Sequence, residues 1–404
     1  MSVLIFEKYP ATRWETIMSN GFRPLFLCVG LAGVILITAW MLMLSGVWQS
    51  MTMAMPVVQW HAHEMLYGFV GAAMGGFLLA AVSKWTGRMP VSGKPLVLLV
   101  SFWLLGRCAV GFSSMLPYPL VILLDMLYGI LLAVLIGREI LASGNQRNIK
   151  VVVILALFSL FNLLFHFGVM FDSQYSEMAI RGAMLQIAVM IALIGGRITP
   201  SFTGNYLRMK NPNDKQLPVQ FNIADKVISI LLGIAAVFWI LLPENLVTGG
   251  LLIASGLGQW YRVSRWQGMK ILSEPLLWIL HMGFIWLGLG LVLLGLSVFG
   301  LVSVSGGQHA IGIGAMASMI LGVASRAALG HTQRALVAGR LMTISFTLIG
   351  VAALSRVAAT GVQGVGSMHL IYSAGVVWLV ALILFCIRYI PILISPAPNW
   401  KRQD

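Results

Sequence analysis

The chain has 404 residues, 59% of them hydrophobic and 9% charged, with a mean hydropathy of +0.91. Those values exclude a water-soluble enzyme or binding module and call for an all-α polytopic membrane protein. The net charge of +14 does not mark a nucleic-acid partner either, because the basic residues form no patch with interleaved aromatics and sit in alternate loops.

Windows of about 20 apolar residues, the length that crosses a roughly 30 Å hydrocarbon core, predict twelve spans. They are expected at 25–47, 60–83, 95–111, 117–137, 149–171, 180–197, 223–242, 246–264, 275–299, 309–327, 338–357 and 367–394. Residues 1–24 lack a basic start, a short apolar core and a small-residue cleavage site, so they read as a cytoplasmic N-terminal segment rather than a cleaved signal. Residues 25–394 then form a single transmembrane domain, and 395–404 a cytoplasmic tail. The longest loop, from Ile198 to Asn222, reads as a polar connector.

With the N-terminus in the cytoplasm, the basic residues fall on the inner side in every loop, from Lys8, Arg13 and Arg23 through Arg147 to Lys401 and Arg402. Only Arg107, Arg181 and Arg356 fall on the outer side. This asymmetry supports the span count and places both termini in the cytoplasm. Cys28, Cys108 and Cys386 are isolated within apolar spans. That excludes a thiolate zinc site, a disulfide framework and covalent haem attachment through CxxCH.

All seven histidines lie inside or at the ends of apolar spans. An imidazole beside hydrocarbon loses its water partners and persists where a metal, a hydrogen bond or a charge replaces them. His61, His63, His166, His281, His309, His331 and His369 are therefore all candidate metal ligands. In the assigned topology His61, His63, His166, His309 and His369 share the outer half of the membrane, whereas His281 and His331 belong to the inner half. His309 and His331 are 22 positions apart, roughly 33 Å along a continuous helix, so they serve different centres.

The densest segment is Trp60-His61-Ala62-His63-Glu64-Met65. Residues i and i+2 point about 200° apart on a helix, so His61 and His63 cannot ligate one metal from one face. His61 shares a stripe with Glu64, Gly68, Gly71 and Gly75, which either admits a flat macrocycle or is a helix-packing seam. His63 shares its stripe with Tyr67 and Met74. Glu64 and Asp125 are buried carboxylates that orient a ligand histidine, carry protons to a reaction, or pair with an arginine. His166 stacks with Asn162 and Met170 on a face suited to copper or to a polar helix contact. His281 follows Trp278 in an apolar span and reads as a second haem ligand or a hydrogen-bonded core residue.

His309 opens Gln308-His309-Ala310-Ile311-Gly312, again with small residues one turn inward. A b-type haem held between two spans takes one imidazole from each, with its propionates near the aqueous edge. His61, His63, His309 and His369 are the candidates for that role. Arg107, Arg181 and Arg356 either meet the propionates or snorkel to headgroups. Pro24 and Pro275, His61 and His309, and Arg107 and Arg356 recur at similar separations, which hints that spans one to four and nine to twelve are parallel repeats.

Five segments together resemble the NnrS family: Phe22-Arg23-Pro24, the Trp60–Met65 run with Gly68-Phe69, Trp85-Thr86-Gly87-Arg88, Gly195-Gly196-Arg197-Ile198 with Pro200-Ser201-Phe202, and Leu329-Gly330-His331-Thr332. The resemblance implies a bacterial inner-membrane protein with haem and copper, linked to nitric oxide and nitrosative stress or denitrification. The chain departs from the family pattern at Ser83-Lys84, where Pro-Asn is expected, and at Gln333, where glycine is expected. Histidines on spans two and ten also look like haem-copper oxidases, but spans six and seven carry none.

The expected function is binding or redox conversion of nitric oxide at a histidine-ligated haem in the outer half of the membrane. An enzyme of this kind is a haem-dependent oxidoreductase that takes electrons from quinol or another donor, with protons passed by Glu64 or Asp125. Nitric oxide and membrane lipids are the expected partners. The alternatives are a secondary transporter of a metal or small anion, and a haem-handling regulatory or assembly factor. Transport predicts helices broken at the midplane, whereas haem predicts ligands grouped in one leaflet.

Overall fold

The computed structural model describes residues 10, 12–48, 52–144, 148–213 and 215–398. Lys8, Arg147, Lys401 and Arg402, assigned to the inner side above, lie outside the described residues. Among the described residues twelve helices are long: α1 (Phe22–Leu44), α2 (Val57–Thr86), α3 (Lys94–Gly111), α4 (Tyr118–Ala142), α5 (Ile149–Met170), α6 (Ser173–Lys210), α7 (Ile223–Leu241), α8 (Leu246–Ser264), α9 (Pro275–Val298), α10 (Val304–His331), α11 (Gly339–Ala358) and α12 (Val365–Ile394). They correspond one to one with the expected spans. Eleven are long and apolar enough to cross a membrane. The other, α8, carries Thr248, Gly249, Ser255, Gly256 and Gln259 on its buried side, residues that lower its hydropathy because that side packs closely on α9.

Local chemistry sets the helix ends. Prolines occupy the first turn of α3, α4 and α9, where a missing N–H costs nothing. Asn222 and Asp225 form a reciprocal capping box at α7. Gly87 ends α2 with φ 66°, the left-handed conformation that glycine adopts freely.

The connector expected from Ile198 to Asn222 is helical over its first half, because α6 continues to Lys210. Thr199, Pro200, Thr203 and Leu207 are buried at helical spacing, and Leu207 joins a small apolar cluster with Ile271 and Leu277. Tertiary burial of that stripe holds a segment whose composition reads as a loop.

The chain divides into two compact units. Unit 1 comprises Met1–Ile180, Ala324–Leu336 and Phe385–Asp404, and unit 2 comprises Arg181–Val323 and Val337–Leu384. In unit 1 the buried guanidinium of Arg23 donates to the carbonyls of Leu393 and Ser395 at 2.7 and 2.9 Å, so the Phe22-Arg23-Pro24 segment ties the start of α1 to the end of α12. In unit 2, α9 is apolar all round and mostly buried, as expected of a central helix. A Cβ on Gly295 would lie 2.6 Å from the Gly249 carbonyl oxygen. Gly295→Ala is therefore expected to destabilise the protein by about 1–3 kcal/mol, read as a lower melting temperature in detergent. Gly250→Ala, where nothing lies within 4 Å, should melt at or above the wild type.

Three long helices carry a π-helical stretch: Glu64–Val70 in α2, Ile191–Gly195 in α6 and Ala310–Ala317 in α10. The first and third follow histidines directly. In α2 the wider turn presents the carbonyls of Gly68 and Gly71 to Trp103 Nε1 (3.0 Å) and the Tyr128 hydroxyl (2.9 Å). The order of elements in α1–α4 recurs in α9–α12. In each, a helix with a π stretch is followed by a helix ending near an arginine and then a 3₁₀ turn, Ser113–Met115 or Ala359–Gly361. The two segments that residue spacing suggests as repeats thus share this order of elements.

The departure at Gln333 has a conformational cost. The Gln333 N–H bonds the Gly330 carbonyl and the Arg334 N–H bonds that of Leu329, a Schellman ending to α10. Its left-handed position falls on Gln333, with φ 56°. Gln333→Gly is expected to stabilise the chain by about 1 kcal/mol, seen as a higher melting temperature.

Candidate metal centre

Four helices of unit 1 converge on one carboxylate. Asp125 of α4 is buried, and its Oδ2 lies 3.1 Å from His63 Nε2 on α2 and 3.0 Å from His166 Nε2 on α5. Asn162, one turn before His166, donates to the same oxygen at 2.7 Å. Asp125 Oδ1 pairs with the Arg107 guanidinium of α3. Arg107 also donates to Glu64 Oε1 at 2.8 Å, and Glu64 Oε1 meets His63 Nδ1 at 3.1 Å. Tyr118 meets His166 Nδ1 at 3.0 Å.

His63, Asp125 and His166 offer ligand atoms within 4.8 Å of one another. Ligands about 2.0–2.2 Å from one tetrahedral metal sit roughly 3.3–3.6 Å apart, so these donors need little movement to surround an ion. Each histidine is also held through its other ring nitrogen, by Glu64 or by Tyr118, as outer partners hold metal-ligating imidazoles.

Two independent observations call for a cation here. Both ring nitrogens of His63 face acceptors: Glu64 Oε1 on one side, Asp125 Oδ2 and Asn162 Oδ1 (2.9 Å) on the other. A neutral imidazole has only one N–H, so the second nitrogen needs either another proton or a metal. Counted formally, Glu64 and Asp125 exceed Arg107 by one negative charge, and a buried excess charge is costly. One proton or one monovalent metal ion balances both counts. The donor set therefore fits a metal such as copper.

A small cavity adjoins the centre. It has a volume of about 20 Å³ and is lined by Tyr67, Arg107, Asp125, Tyr128, Ser159 and Asn162 among others. That is room for a water or a diatomic molecule. The Tyr67 hydroxyl, Glu64 Oε2 and Arg107 Nε are buried without a hydrogen-bond partner.

Not every expected site residue joins this cluster. His61 is half-buried and stacks on Trp40, with ring centroids 4.4 Å apart; its neighbour but one, His63, enters the cluster, so the two rings have separate surroundings. Met170, placed on the His166 face by spacing, is 44% exposed. His281 is buried with its nitrogens facing the carbonyls of Leu277 (3.1 Å) and Trp266 (3.4 Å). His331 packs 5.3 Å from the Phe22 ring. His369 is exposed on α12, and Arg181 is half-buried on α6.

In unit 2, His309 Nδ1 meets the Ser305 carbonyl at 2.8 Å, and Arg356 donates to the Ser305 hydroxyl at 3.0 Å. A carbonyl accepts only from an N–H, so Nδ1 carries a proton. Tyr118 is a participant that sequence reasoning missed. It lies seven residues before Asp125, two helical turns along the same face, and that spacing was the available signal.

No curated protein matches the chain. The family described as NnrS protein matches residues 16–397, nearly the whole chain. With this match, the eleven helices long and apolar enough to cross a membrane and the buried His-Asp-His group, the chain belongs to the NnrS family, whose membership supports a membrane protein of the nitric oxide response.

Proposed function

We propose that His63, Asp125 and His166 hold a copper ion, that histidines outside this set, His309 among them, ligate b-type haem, and that the protein binds or redox-converts nitric oxide. The observation that carries this reading is the buried three-donor set, whose histidine and charge accounting both lack one cation. When bound, copper supplies a one-electron couple and haem iron takes nitric oxide directly. The chain's own groups do the rest. Arg107 holds Glu64 and Asp125 in place, Glu64 and Tyr118 fix the ring orientations, and apolar walls exclude bulk water. Protons are passed by Glu64 or Asp125, and Glu64 Oε2, which has no hydrogen-bond partner, is the open atom of the two groups. The 20 Å³ space beside Asp125 is suited to a diatomic ligand that arrives through lipid.

On this reading the protein lies in the bacterial inner membrane with all twelve long helices crossing and both termini cytoplasmic, a topology that the loop charges favour. Electrons come from quinol or another donor. A secondary transporter is the second reading, but α2, α6 and α10 run continuously through their π stretches, and this favours metal chemistry over alternating access.

The test is metal analysis and absorption spectroscopy on full-length protein from cells supplied with copper and haem. The wild type should carry stoichiometric copper and a Soret band that shifts with nitric oxide. His63→Ala and His166→Ala should each lose at least about tenfold in copper affinity while keeping the Soret band, and His309→Ala should diminish that band. Full copper retention in both of the first two variants would overturn the copper assignment.

A further inference from the structure

Unit 2 contains a second buried polar cluster that the metal chemistry does not use. Asp225 of α7 accepts from Arg262 Nε at 2.7 Å and pairs with Arg265 Nη2 at 2.9 Å, both near the end of α8. Arg262 is fully buried and also donates through Nη1 to Gln259 Oε1 at 3.0 Å. Its remaining nitrogen, Nη2, points at Gly196, where a Cβ would occupy the same place. Gly196 is the first residue after the π stretch of α6, so the absence of a side chain there makes room for the guanidinium.

The cluster is over-supplied with donors and with positive charge. Arg262 Nη2, Gln259 Nε2 and Arg265 Nε are all buried without a hydrogen-bond partner. Thr199, one turn on from Gly196 and fully buried, has an unpartnered hydroxyl. Arg197, exposed, lies 4.7 Å from the Phe221 ring that Arg262 also overlies at 5.7 Å. Arg262 and Arg265 thus share one aspartate, a formal excess of one positive charge. A water molecule would satisfy some donors but leave that charge in place. An anion satisfies both.

We propose that Arg262, Arg265, Gln259 and Thr199 form an oxyanion-binding site in unit 2. The fork of Arg262 gives Nε to Asp225 and Nη1 to Gln259 and leaves Nη2 for the ligand as a single charge-assisted donor. The ligand is a small oxyanion, either free or as the phosphate of a lipid headgroup. The site is independent of the His63–Asp125–His166 centre and of the copper assignment.

The experiment uses delipidated full-length protein in a maltoside detergent, with melting temperature as the readout. Sodium phosphate and sodium nitrate are titrated against chloride at fixed ionic strength, and short-chain phosphatidylglycerol is titrated separately. Saturable stabilisation by phosphate or nitrate supports a free oxyanion; saturable stabilisation by phosphatidylglycerol alone supports a headgroup phosphate. In either case Thr199→Val, which removes one hydroxyl at constant shape, should weaken the response at least about tenfold. Arg262→Lys should weaken it further, and should it fail to fold, Thr199→Val still decides. No saturable response to any of the three probes, or an unchanged response in Thr199→Val, overturns the proposal.

Discussion

Asp125→Ala is expected to lower the stability of the full-length protein by about 3–5 kcal/mol, the cost of removing one partner from a buried charge pair. One carboxylate receives His63, His166 and Asn162 on Oδ2 and Arg107 on Oδ1. No other described group lies within hydrogen-bonding distance of His166 Nε2, and the cavity beside it is too small to admit a chain of waters that would replace four contacts. Asp125→Asn keeps the shape, turns one oxygen into a donor facing donors, and should cost about 1–3 kcal/mol together with loss of bound copper. The measurement is thermal unfolding in detergent followed by tryptophan fluorescence, beside metal content. An Asp125→Ala protein that melts with the wild type would mean that the four helices are held together without this carboxylate.

The second large effect separates the two halves of the internal repeat. Arg107 and Arg356 occupy matching places, yet Arg107 joins two buried carboxylates and Arg356 meets a serine hydroxyl. Arg107→Gln strands Glu64 and Asp125 without the one guanidinium that touches both and should cost about 3–5 kcal/mol. Arg356→Gln exchanges one charge-assisted hydrogen bond and should cost about 1.5 kcal/mol. Glu64→Gln placed on Arg107→Gln should recover part of the loss, because it removes one of the two stranded charges. Equal costs for the two arginine variants, or no recovery in the double variant, would show that the arginines do the same work in both halves.

Much of this was legible in the residues, for identifiable reasons. The spans were readable because an apolar run long enough to cross hydrocarbon has few other uses; the failure at 198–210 came from a stripe whose burial depends on Ile271 and Leu277, far along the chain. His63, Glu64, Asp125, Asn162 and His166 were all singled out because buried polar groups need partners. Their partnership was not readable, since helical spacing relates residues only within one span. The signal for Tyr118 was present at seven residues from Asp125, but a tyrosine at a span end is ordinary on a membrane boundary.

Arg262 illustrates the same limit from the other side. By charge and position it was one more basic residue marking an inner loop, and only the coordinates show it fully buried between Asp225 and Gly196. Composition and hydropathy alone determined that the chain is an all-helical membrane protein with histidines as its chemical resource, because desolvation acts on each residue regardless of its distant neighbours. The tertiary structure alone decided that His63, Asp125 and His166 meet while His281 turns to backbone carbonyls. Those three residues span 103 positions of the chain, from 63 to 166, and only helix packing brings such groups within reach of one ion.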